Sequence, residues 1–75
     1  HFMGGVSMKS KKYEALKAAT KGNVYLEDLI EDYEAGNITI RGMVSEIALD
    51  RRRARRLGEN DFLKATQEFY RILNR

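Results

Sequence analysis

The chain is predicted to be all-α, a small three- to four-helix bundle or orthogonal helical array, on three observations. Apolar residues recur at three- and four-residue intervals along successive segments. Glycine punctuates those segments, and proline is absent from the 75 residues. The stretches between them are only a few residues long, which makes successive helices close antiparallel neighbours. A composition of 43% hydrophobic and 33% charged residues belongs to a chain that folds rather than to a disordered one.

Residues 1–7, "HFMGGVS", read as a remnant of recombinant expression, because Gly4, Gly5 and Ser7 are linker residues and His1 is an unusual first residue. Met8 then reads as the native start, and residues 8–75 as one helical domain. On that reading the single histidine, His1, and one phenylalanine, Phe2, carry no function.

The first helix is placed at Lys9 to Thr20, a weakly amphipathic segment with Tyr13, Leu16 and Ala19 or Thr20 on one side and lysines on the other. The second, Tyr25 to Ala35, sets Leu26, Leu29, Ile30 and Tyr33 at i, i+3, i+4 and i+7, with Asn23 positioned to cap its start. The third runs from Thr39 to Leu57, with Ile40, Met43, Val44, Ile47, Ala54 and Leu57 on one arc at about 100° per residue. Its beginning, Asn37 to Arg41, alternates polar and β-branched residues and admits a short extended piece, although helix from Thr39 is favoured. The fourth, Asp61 to Asn74, carries Phe62, Leu63, Thr66, Phe69, Tyr70 and Leu73 in a broad apolar stripe, with Asn60 as its N-cap. Gly22, Gly36 and Gly58 fall where helices end.

Charge is segregated along these helices, so a net charge of +3 conceals opposite faces. Lys9 to Lys21 holds five lysines and one glutamate, Glu27 to Glu34 five carboxylates and no base, and Arg41 to Arg56 six arginines against Glu46 and Asp50. On the third helix Arg41, Arg52 and Arg56 cluster within roughly 60°, nearly opposite Met43 and Ile47. Arg51 and Arg55 flank the apolar arc, and Arg53 lies toward Asp50, with which it is spaced to pair.

Arg41, Arg51, Arg52, Arg53, Arg55 and Arg56 are therefore the candidate contacts for a nucleic acid or an acidic protein partner. Guanidinium suits bidentate phosphate or carboxylate contact. The competing reading is a solvated helix end whose cations offset the helix dipole, with the acidic second helix neutralising part of the run from within the chain. Gly42, Ser45 and Leu49 share the polar side of the same helix and are candidates for a protein interface, or else for a contact with the first or fourth helix. Glycine inside a helix costs up to about 1 kcal/mol relative to alanine, so Gly42 signals a late helix start or a close approach by another segment. Glu27, Asp28, Glu31 and Asp32 are the candidates for a basic partner. Tyr33 and Tyr70 read as packing residues, while Tyr13 and Tyr25 stand open.

A helix-turn-helix outline is present across the second and third helices, but its detail fits poorly. Glu31 and Asp32 fall where the motif buries small or apolar side chains, and Ile40, Met43 and Val44 stand where base readers belong. Any nucleic-acid contact is thus expected on phosphates.

No catalytic site is expected. Beyond His1 there is no histidine, there is no cysteine, and Ser10 and Ser45 lie in no motif that activates a nucleophile. No cofactor or metal is expected either, since the carboxylates surround a single helix instead of converging from several. Without cysteine there is no disulfide, and no apolar run reaches the roughly 18 residues of a membrane span. The expected location is the cytoplasm, and the expected role is a small regulator that binds another protein as adaptor or inhibitor, with nucleic-acid binding as the alternative. A homodimer is a further expectation, since so small a core stabilises a fold by only about 3–5 kcal/mol.

Overall fold

The computed structural model describes residues 3–75, with side chains from Lys11 onward. His1 and Phe2, part of the stretch read as an expression remnant, lie outside the described residues. The described chain is all-α and contains four helices: α1 (Met3–Ala18), α2 (Val24–Glu34), α3 (Ile40–Leu57) and α4 (Asn60–Leu73).

Each boundary follows from local chemistry. α1 begins earlier than expected and ends two residues earlier, after which Thr20 turns its hydroxyl back onto the Lys17 carbonyl at 2.7 Å. The Asn23 side chain accepts from the Leu26 amide at 3.0 Å and caps α2, as its position predicts. α2 closes with the Gly36 and Asn37 amides folded back onto the Tyr33 and Asp32 carbonyls at 3.1 and 2.9 Å. That pattern needs a left-handed residue, and Gly36 supplies it at φ 79°.

The ambiguous stretch from Asn37 to Arg41 resolves into a cap. Thr39 is extended and its hydroxyl accepts from the Gly42 amide at 3.0 Å, so α3 starts at Ile40. Ile38, just before the cap, folds over the first turn. A Cβ on Gly42 would lie 2.8 Å from the Ile38 Cγ1, so the close approach signalled by this glycine comes from its own helix entry.

α3 ends with the same pattern as α2. Gly58 stands at φ 75°, and the Glu59 amide reaches the Ala54 carbonyl at 2.8 Å. This closure uses Glu59 as the link into α4, so the helix begins at Asn60 and its N-cap is Glu59, which makes no side-chain capping bond. The expectation that Asn60 caps α4 is thereby corrected: Asn60 is the first helical residue. At the other end, the Lys12 ammonium donates to the carbonyls of Leu73 and Arg75 at 3.1 and 3.3 Å, satisfying terminal acceptors that α4 leaves open.

The core draws on all four helices: Leu16 from α1; Leu26, Leu29 and Ile30 from α2; Met43 and Ile47 from α3; and Phe69, Ile72 and Leu73 from α4. Tyr33 and Tyr70 pack half-buried against it, as predicted, and so do Tyr13 and Tyr25. Leu57 departs from expectation, being 62% exposed. It lies about 60° round from Ala54 at ideal helical spacing, in the last turn of α3. Ile72, outside the predicted stripe, is buried. No buried side-chain polar atom among the described residues lacks a hydrogen-bond partner.

Candidate functional site

The long outer face of α3 is the most distinctive surface of the molecule. Arg41, Arg52, Arg53, Arg55 and Arg56 are all exposed. The ion pairs among the described residues are Lys17 with Glu34 and Arg71 with Glu68, so none of these five guanidinium groups is neutralised by a described carboxylate.

Arg51 is different, and its place in the candidate set is corrected. Its Nη1 donates to the Leu63 carbonyl at 2.8 Å and to the Thr66 hydroxyl at 2.7 Å, and its guanidinium lies 5.1 Å from the centre of the Tyr70 ring. Thr66 is fully buried and itself donates to the Phe62 carbonyl at 2.8 Å. Arg51 therefore fastens α3 to α4, because the flank of the apolar arc on which it stands faces α4.

Arg53 does not pair with Asp50 either. The Asp50 carboxylate accepts from the Tyr25 hydroxyl at 2.5 Å, and the Tyr25 ring meets Phe62 edge-on with centroids 5.1 Å apart. Burial, then the bond to Asp50, raises the Tyr25 hydroxyl well above its ordinary ionisation range. Tyr25 thus acts as the strut between α2, α3 and α4, a role no local spacing announces. Arg53 instead borders a cleft of about 220 Å³ with Tyr25, Asp50, Glu59 and Phe62.

Within the arginine face stands Leu49, 60% exposed. Taking about 100° per residue, Arg56, Arg53, Ser45 and Arg52 all project within roughly 60° of it, and Arg41 within roughly 80°. Ser45 is exposed with it, so these two do not meet the first or fourth helix. Gly42 is half-buried beneath Ile38 and leaves the face. Arg55 points to the opposite flank.

The second charged surface is α2. Glu27, Asp28, Glu31 and Asp32 are all exposed, and Val24 at the start of the helix is 70% exposed. Only Glu34 is compensated within the described chain. Lys17 donates to its carboxylate at 2.8 Å, and the Tyr13 hydroxyl donates to the same oxygen. These donors hold the Glu34 carboxyl below the usual range, and the Glu34 carboxylate, then the Tyr13 hydroxyl, pushes the Lys17 ammonium up. The acidic helix therefore neutralises none of the described arginines on α3, contrary to one expectation from the sequence. Among the described residues, no three carboxylate, histidine or cysteine side chains come together to hold a metal ion, and no helix is long and apolar enough to cross a membrane.

Comparison with protein-family models, curated proteins and solved structures finds no match to this chain.

Proposed function

We propose that this chain is a small, non-enzymatic regulator of the cytoplasm that binds an acidic protein surface through the outer face of α3, as an adaptor or inhibitor. The observation that carries the reading is Leu49, 60% exposed within a ring of unneutralised arginines. A phosphate backbone rewards cations and is indifferent to an aliphatic side chain among them. A protein interface uses both: an apolar centre that loses its water and a charged rim that sets specificity, with arginine the cation enriched there.

Burying a leucine side chain fully is worth about 1.5–3 kcal/mol, so an exposed leucine at the centre of the face is a substantial unused driving force.

The test is a pair of anisotropy titrations. One uses a labelled helical peptide with leucines at i, i+4 and i+7 among glutamates; the other uses random duplex DNA and single-stranded RNA, each at about 50 and 200 mM salt. Preferential binding of the peptide, lost in Arg52→Glu/Arg56→Glu, supports protein docking. Tighter binding of either nucleic acid, falling steeply with salt, would replace it with a phosphate surface.

A further inference from the structure

Two helix faces make no ion pair among the described residues, although Glu27 and Glu31 border a cleft with Lys17 and Lys21, and the two faces complement each other. On α3, Ser45, Leu49, Arg52 and Arg56 stand at i, i+4, i+7 and i+11, with Arg41 and Arg53 beside them, all exposed. On α2, Val24, Asp28 and Glu31 stand at the first three of these offsets, with the C-cap Ala35 at the fourth and Glu27 and Asp32 beside them, all exposed. Each stripe runs about 16 Å along its helix at 1.5 Å per residue. One presents guanidinium groups around an exposed leucine, the other carboxylates below an exposed valine.

Within one chain the two faces make no ion pair among the described residues, and α2 and α3 are tied instead by Tyr25 and Asp50. A second copy brings such faces together. We propose that the occupant of the α3 face, when no other acidic partner is present, is the α2 face of a second copy of this chain. The inference rests on the reading of α3 as a docking face. Carboxylates of Asp28 and Glu31 then sit against the guanidinium groups of Arg52 and Arg56, which suits the planar, bidentate geometry of that pair. Val24 and Leu49 or Leu57 supply the apolar contact. The joined patches differ, so the contact is heterologous, and it covers the surface an acidic partner needs. Self-association therefore regulates the binding activity, withdrawing the docking face as protein concentration rises and releasing it as salt rises.

Sedimentation velocity on the full chain tests this, with two charge-reversed variants placed at exposed positions and helix content checked by circular dichroism. The wild-type chain associates at about 50 mM salt and weakens at least tenfold by about 500 mM, where the screening length drops to a few ångströms. Asp28→Lys/Glu31→Lys alone and Arg52→Glu/Arg56→Glu alone are monomeric, because each replaces the two side chains through which one face pairs with charges that repel the other face. An equimolar mixture of the two recovers association, since the arginine face of the first variant meets the native acidic face of the second.

A wild-type chain that stays monomeric at low salt, or a mixture that does not associate, overturns the proposal. Binding of the acidic peptide separates this from failure of the docking reading. Asp28→Lys/Glu31→Lys binds the peptide at least as tightly as the wild type if α3 docks acidic helices, whatever the self-association result. Wild-type peptide affinity in Arg52→Glu/Arg56→Glu would overturn both.

Discussion

The Tyr25 hydroxyl and the Asp50 carboxylate form the one polar link between α2 and α3 whose loss can be isolated from packing. Tyr25→Phe keeps the ring against Phe62 and removes the bond. Urea denaturation should show a loss of about 1–2 kcal/mol, with little further loss on adding Asp50→Asn. Because burial and Asp50 raise the Tyr25 hydroxyl above its ordinary value of 10.0, the stabilisation is full below that value and is lost as pH rises through the higher folded value. The Tyr25→Phe chain lacks this component, so its urea midpoint should fall less steeply above about pH 10 than that of the wild type. Arg51 and Arg52 make a second contrast. Arg51→Ala breaks two bonds to α4 and uncovers Tyr70, for a loss of about 1–3 kcal/mol, whereas Arg52→Ala should stay within about 0.5 kcal/mol by the same assay. Helical spacing sets Arg51 on the flank of the apolar arc and Arg52 opposite it, but does not say what either one meets. Arg51 differs because its acceptors, Leu63 and Thr66, arrive from the next helix, and that register is a tertiary fact. Leu49, by contrast, was legible: ideal helical spacing alone puts it among the arginines.

At the level of the elements, signals that act within one turn were readable and those that depend on the neighbouring closure were not. Asn23 caps its helix through its side chain, and Gly36 and Gly58 end theirs, because each needs only its own conformation and partners within a turn; Thr39, expected as the first helical residue, is instead the cap of α3. Asn60 failed as a cap because the closure of α3 leaves Glu59 as the link into α4, which starts one residue earlier than expected, at Asn60. Thr39→Ala should cost about 1 kcal/mol of stability in thermal or urea unfolding, as the Gly42 amide loses its acceptor. The exposure of Leu57 was missed for a related reason: periodicity assigns a face to a residue but does not say where the neighbouring helix stops covering it.

Taken whole, the molecule combines a core of minimal size with oppositely charged outer faces. Among the described residues Phe69 is the largest fully buried side chain. Phe69→Ala removes about 3–5 kcal/mol, comparable to everything such a core supplies, so circular dichroism should find that variant largely unfolded at room temperature. Folding consumes Arg51 and Glu34 and leaves the remaining α3 arginines and the four outer α2 carboxylates to solvent, which is why the function is read from surface and not from a cavity. The fold class was legible from periodicity, and the exposed arginine face in outline; the selection of which arginines remain free required the packing of α4. The claim that most needs testing is that α3 docks protein through its leucine as well as its charge. The direct measurement is the affinity of Leu49→Ser for the acidic leucine peptide beside that of the wild type. An affinity about tenfold weaker, corresponding to about 1.4 kcal/mol, with unchanged helix content, is the predicted result. Equal affinity for the two chains would contradict it, reducing the face to an array of cations with no apolar centre.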